Sequence, residues 1–196
     1  MDPSTPAATG PPPASVFLVG PMGSGKSAVG RALARLLDFK FIDSDAEIER
    51  RTGVDIELIF DKEGEEGFRA REREVIADLT LLAGVVLATG GGVVLCADNR
   101  EWLASRGIVV YLEASVAQQL ERTRHARHRP LLRAADPRAR LTEILQMREP
   151  LYRSIARLTV PTDGRRVQSV AAEVAAGLAA LEGGPGGRPA APGASA

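Results

Sequence analysis

The chain alternates short apolar runs with longer segments in which apolar residues recur every three or four positions. Runs at 16–19, 39–42, 85–88, 108–112 and 158–160 are strand-sized and rich in Val, Ile, Leu and Phe, the pattern of strands buried on both faces of a parallel sheet. Between them the period is helical. Val29, Leu33, Leu36 and Leu37 share one face of the segment after the first run, and Phe68, Val75, Ile76, Leu79 and Leu82 align on another. A third helix is predicted over 138–156, with Leu141, Ile144, Leu145, Leu151, Tyr152 and Ile155 as its apolar stripe and Arg148 inside that stripe. Strands alternating with such helices predict an α/β fold of βαβ units around a parallel sheet.

The two ends depart from this pattern. Residues 1–14 and 183–196 are dominated by Pro, Gly and Ala, and so bury too little apolar surface to offset their ordering entropy; both are expected to be disordered tails. The remainder, 15–182, has the size of one domain. The 25 basic and 25 acidic residues are interspersed and cancel, so the one-signed surface of a nucleic-acid binder is not expected. No apolar stretch approaches the ~20 residues of a membrane span. A small molecule is therefore the expected partner, with neither nucleic acid nor membrane, and the protein is expected to act as a monomer. A single cysteine, Cys96, and no signal-like segment near Met1 point to the cytoplasm. Cys96 and Trp102 carry no motif and are expected to pack.

Gly20-Pro21-Met22-Gly23-Ser24-Gly25-Lys26-Ser27 fits G-x-x-x-x-G-K-[ST], directly after the first apolar run and directly before the first helical segment. Such a loop turns back on itself so that its N–H groups face phosphate oxygens, which glycine permits, and the helix that follows adds positive potential at its N-terminus. Gly23, Ser24, Gly25, Lys26, Ser27 and Ala28 are the expected contacts to a nucleoside triphosphate. Lys26 serves as a point charge on the β- and γ-phosphates, and the Ser27 hydroxyl as a Mg²⁺ ligand. The motif alone does not separate a kinase from an NTPase that drives motion or signalling.

Asp43-Ser44-Asp45 follows the second run, at the carboxyl end of a strand, where ligands of open α/β sheets bind. Alternating residues there point to different sides. One carboxylate can face the Mg²⁺ shell while the next but one faces an acceptor hydroxyl, as a base or to hold the nucleophile in line. Either acid can equally cap the helix expected near Ala46, and the two roles can coexist. No apolar run ends in a lone Asp, so the metal shell is expected to rest on Ser27, Asp43 and water.

With Gly64-Glu65-Glu66-Gly67-Phe68-Arg69 and Gly90-Gly91-Gly92 added in order, the chain resembles the shikimate kinase family, whose members carry G-x-x-x-x-G-K-[ST], D-x-D, G-E-x-x-F-R and G-G-G. The resemblance runs from about 16 to 182. It implies a nucleoside-monophosphate-kinase-like, three-layer α/β/α fold with a five-stranded parallel sheet in order 2-3-1-4-5, an acceptor-binding subdomain near 44–73 and a mobile lid near 122–137. It also implies that MgATP phosphorylates the 3-hydroxyl of shikimate, giving shikimate 3-phosphate and ADP in aromatic amino acid biosynthesis. Asp45, Arg69, the Gly91 backbone with its neighbours Gly90 and Gly92, and Arg148 are implied to bind shikimate, and Asp43 to hold Mg²⁺ through water. Arg129-Pro130-Leu131-Leu132 is similar to the family's lid motif, implying that Arg129 crosses onto the ATP phosphates with help from Arg122 and acts with Asp45 and Lys26 in catalysis. Arg165, near the last strand, is implied to contact adenine.

The residue chemistry stands beside this likeness. A guanidinium fork grips a carboxylate bidentately, which suits Arg69 and Arg148 to an anionic substrate. Arg148 on an apolar stripe is costly unless an anion meets it, either a ligand or a buried acid. Arg69 lies near Arg71 and Arg73, as on an ordinary charged face, and only the motif singles it out. The glycine run either lets backbone approach a ligand or is a plain turn. Arg122, Arg124, Arg127, Arg129 and Arg133 make a cationic flap that could stabilise the charge of a transferring phosphoryl group and expel water, or else bind an acidic surface or nucleic acid. His125 and His128 are expected to be solvated. Two rivals remain open: a related hydroxy-acid kinase, such as a gluconate kinase, and a regulatory module that uses ATP only as a switch.

Overall fold

The computed structural model describes residues 14–124 and 136–183. In chain order these form β1 (Val16–Val19), α1 (Lys26–Leu37), β2 (Lys40–Asp43), α2 (Ser44–Thr52), α3 (Ile56–Leu79), β3 (Val85–Ala88), a 3-10 turn (Val93–Leu95), α4 (Ala97–Arg106), β4 (Ile108–Glu113), α5 (Val116–Thr123), α6 (Pro137–Ile155), β5 (Leu158–Pro161) and α7 (Val167–Gly183). Most of both expected tails, and residues 125–135 of the expected lid, lie outside the described residues.

The five strands make one parallel sheet in order β2-β3-β1-β4-β5, as the resemblance implied. β1 and β3 are buried at every position, which is why their sequences are continuous apolar runs rather than alternating ones. On one face Leu18, Val86 and Val110 pack against Val29 and Leu33 of α1 and Val174 of α7. On the other, Phe17, Leu87 and Tyr111 pack against Ile76 of α3, Leu103 of α4 and Tyr152 of α6. The neighbouring strands β1 and β3 thus send their following helices to opposite faces, α1 to one and α4 to the other. This opens a crevice beyond their carboxyl ends, where the glycine loop and the glycine run both lie.

Three sequence expectations are corrected. β2 starts at Lys40 rather than 39, because the Phe39 amide donates to the Ala34 carbonyl at 2.8 Å, closing the end of α1 before the ladder begins. Leu36 is 59% exposed: the inward face of α1 is completed by Gly30 and Ala34, on which Phe41 and its neighbours lie. Leu82, 42% exposed, falls beyond the end of α3, where the helical period no longer applies.

At the junction of α4 and β4 the chain passes very close to β1. A Cβ added to Gly107 would stand 2.6 Å from the Ser15 carbonyl oxygen and 2.5 Å from Phe17 Cε2, beside the bond from the Ile108 amide to that same carbonyl. Gly107→Ala is expected to destabilise the fold by about 1–3 kcal/mol through this overlap, measured by urea unfolding.

Candidate active site

The loop after β1 turns through three glycines with positive φ, Gly20 at 144°, Gly23 at 73° and Gly25 at 89°. Gly20 also passes so near β4 that a Cβ there would lie 2.4 Å from the Leu112 carbonyl oxygen. Gly25 caps α1 in the left-handed conformation without a side-chain acceptor, which leaves the first-turn amides of α1 open to an anion. Lys26 folds over the loop, its Nζ donating to the carbonyls of Gly20 at 2.7 Å and Pro21 at 2.8 Å.

One residue further on, the Ser27 hydroxyl donates to Asp43 Oδ2 at 2.6 Å. The other oxygen of Asp43 accepts from the amides of Asp45, at 3.1 Å, and Ala46, capping α2. Capping and site geometry therefore coexist in one carboxylate. A hydroxyl and a carboxylate beside a phosphate-type loop are hard oxygen donors suited to Mg²⁺, which retains waters and takes further oxygens from a phosphate. Among the described residues no group of three His, Cys, Asp or Glu could hold a metal ion by itself.

Beside this loop opens a cleft of about 610 Å³, with Asp45 and 90–92 at its floor, Phe68, Arg69 and Glu72 of α3 on one wall, and Leu141, Ile144 and Arg148 of α6 opposite. Arg69 donates Nη1 to Glu72 at 2.6 Å, and Nη2 and Nε to Glu65 at 3.1 and 3.3 Å. Burial alone would lower its affinity for a proton, but Glu72 and Glu65 more than offset this and hold the guanidinium firmly charged. The Glu72 side chain is 1% exposed, and burial pushes its carboxyl up against the opposing pull of Arg69. Its Oε1 is enclosed with no hydrogen-bond partner.

Arg148 donates Nη1 to the Gly91 carbonyl at 3.2 Å, while its buried Nε has no partner. Among the described residues no carboxylate is in ion-pair contact with it, although the buried Glu72 carboxyl is held down in part by its charge. The Tyr152 hydroxyl donates to the same Gly91 oxygen; burial pushes its ionisation up to about 12, so it remains a donor at ordinary pH.

The glycine run is more than a plain turn, and for a reason the sequence did not show. A Cβ at Gly90 would stand 2.8 Å from Glu72 Oε1 and 2.9 Å from Asp45 Oδ1, and one at Gly92 2.2 Å from the Arg69 guanidinium. The glycines make room for the charged side chains of the cleft. Arg122 spans from the Gly23 carbonyl, at 2.9 Å, to the Thr162 carbonyl, at 2.7 Å, tying the glycine loop to the turn after β5. Arg165 is held by the Pro161 carbonyl and by Glu173, so both ends of its guanidinium have partners within its own segment. Arg129 and the histidines lie outside the described residues.

Glu72 was missed from sequence, although a signal existed. It shares the inward face of α3 with Phe68, Val75, Ile76 and Leu79, so the argument that marked Arg148 as a charge on an apolar stripe applied equally to it.

A family model described as shikimate kinase matches residues 22–179. A shikimate kinase of Halorhodospira halophila is 57% identical over 173 residues, covering 88% of this chain and 96% of its own length. The chain belongs to the shikimate kinase family. A second member, from Methylococcus capsulatus, is 60% identical over 148 residues, 76% of this chain and 83% of its own. Among solved structures, a shikimate kinase from Acinetobacter baumannii in complex with shikimate aligns at a TM-score of 0.85 and 46% identity, over 88% of this chain and 96% of that one. A gluconokinase from Sinorhizobium meliloti aligns at 0.59 with 22% identity, over 86% of this chain and 93% of that one, and shares the fold alone. No helix of the described residues is long and apolar enough to cross a membrane.

Proposed function

We propose that this chain transfers the γ-phosphoryl group of ATP, taken with Mg²⁺, to the 3-hydroxyl of shikimate, giving shikimate 3-phosphate and ADP on the route to aromatic amino acids. The observation that carries this reading is the convergence of Asp45, Arg69 and Arg148 on one cleft that Pro21 and Met22 of the phosphate-type loop also line. A cyclic hydroxy acid placed there turns its carboxylate to the arginines and a hydroxyl to Asp45.

The nucleotide phosphates lie against the amides of 23–28, and Lys26 exchanges its loop carbonyls for β- and γ-phosphate oxygens. Ser27 and Asp43 would hold the Mg²⁺, which would neutralise phosphate charge there. Arg148 and Arg69 grip the carboxylate, and the Gly91 carbonyl is fixed by Tyr152 and Arg148. Asp45 orients the 3-hydroxyl and takes its proton as the new P–O bond forms and the bond to ADP breaks. Arg129 is carried over from the family's lid motif as the cation delivered to the phosphates on closure, with Arg122 and Arg165 on the nucleotide side. The catalytic unit is 15–182, with the acceptor subdomain at 44–73 and the lid at 122–137. It is a cytoplasmic monomer without nucleic-acid or membrane partners, a reading supported by its balanced charge and single cysteine.

A coupled ADP-release assay over a panel of hydroxy acids tests the substrate. Shikimate should be preferred over gluconate by about 10⁴-fold in kcat/KM, because a mismatched acceptor leaves the polar groups of the cleft unpaired. Absence of turnover with shikimate at saturating ATP rejects the reading. Gly92→Ala reads the Arg69 seat. Its Cβ meets the Arg69 guanidinium, so KM for shikimate should rise about 10-fold, the loss of one charge-assisted contact, and because the same guanidinium pairs with the buried Glu72 the urea-unfolding midpoint should fall as well.

A further inference from the structure

Arg69 does not stand ready for a ligand. Its Nη1 goes to Glu72, and its Nε and Nη2, the edge that matches a planar carboxylate, both go to one oxygen of Glu65. The two acids differ in kind. Glu72 is enclosed, with 1% of its side chain exposed, whereas the Glu65 side chain is 63% exposed and begins the first turn after the break in α3 at Gly64, φ 72° and ψ −171°. Across the cleft, Arg148 keeps a buried Nε without a partner. One arm of the grip is thus open, while the other is filled by a carboxylate of the protein itself.

We propose that Glu65 is a built-in competitor: it occupies the carboxylate seat on Arg69 until the organic acid displaces it, and so sets the affinity for carboxylate ligands. This rests on the reading of Arg69 and Arg148 as the carboxylate grip. With Glu65 docked, the Nε–Nη2 edge of Arg69 is covered and one more negative charge stands in a cleft that acids already outnumber arginines in lining. With Glu65 released, that edge is open and the charge has left it. Release is easy because Glu65 returns to water at the start of a helical turn, where an acid is favoured. Glu72 stays, since burial leaves it no solvated alternative, and it holds Arg69 upright for the exchange.

The test uses the full chain with Glu65→Gln and Glu65→Ala, both at an exposed position that the fold tolerates. Calorimetric titration with shikimate should show binding about 2- to 5-fold tighter than wild type, the worth of a partly exposed ion pair, with KM falling in step and kcat within about twofold. Shikimate methyl ester, which lacks the charge, should show no gain. Unchanged or weaker shikimate binding in both variants, or an equal gain for the ester, overturns the proposal. Arg69→Met distinguishes the two levels. If it binds shikimate as well as wild type does, the grip itself is wrong; if it loses affinity while the Glu65 variants match wild type, only the competitor role falls.

Discussion

Asp45→Asn is expected to lower kcat by about 10²–10⁴-fold while ATP affinity stays within about twofold. The amide keeps the size of the side chain and the backbone bond from residue 45 to Asp43 that starts α2, so fold and nucleotide loop are undisturbed. What is lost is the negative oxygen at the cleft floor, the one near which Gly90 must lack a Cβ. Phosphoryl transfer is largely a matter of positioning and charge, so the effect should appear in the chemical step rather than in nucleotide binding. Steady-state kinetics and nucleotide titration on the same preparation read both quantities. A module using ATP only as a switch would show no such separation, and neither would a purely capping Asp45.

Arg148→Met should weaken catalysis and leave the protein no less stable. Removing a charge-assisted, bidentate contact to the substrate carboxylate is worth about 1.5–3 kcal/mol, or roughly 10- to 150-fold in KM for shikimate, with a smaller change in kcat. In the ligand-free protein the same guanidinium carries a cost, because its Nε is buried without a partner and no described carboxylate is in ion-pair contact with it, the buried Glu72 feeling its charge without such a contact. A thioether of similar length removes that burden, and Tyr152 still serves the Gly91 carbonyl, so urea unfolding should show stability unchanged or raised by about 1 kcal/mol. A residue kept for structure would lose stability on substitution; one kept for its ligand would not.

Much of this was legible in the sequence, because the features concerned obey short-range rules. The spacing of Gly20, Gly25, Lys26 and Ser27 demands a phosphate-type loop wherever a buried strand precedes it, and β1 does. Asp43 and Asp45 do diverge, one reaching Ser27 and the other the cleft, but not through strand alternation, which would put residues two apart on the same side: Asp43 ends β2 and Asp45 sits in the first turn of α2. What escaped depended on tertiary placement. The start of β2 was set by an amide spent on closing α1, which no hydrophobic pattern records. The glycine run reads alike whether it admits a ligand or a guanidinium, and only the approach of Arg69 from a distant helix decides between them. The ties of Arg165 and of Glu65 are pairings between charges that sequence alone cannot tell from solvated ones.

The central claim is that this cleft delivers a shikimate hydroxyl to the terminal phosphate of ATP. Phosphorus NMR of the purified protein with MgATP and shikimate tests it at the level of the bond made. The account predicts a new phosphomonoester resonance, coupled to the proton on carbon 3, growing in step with ADP. Release of inorganic phosphate with ADP, or nucleotide left intact in the presence of shikimate, would contradict it.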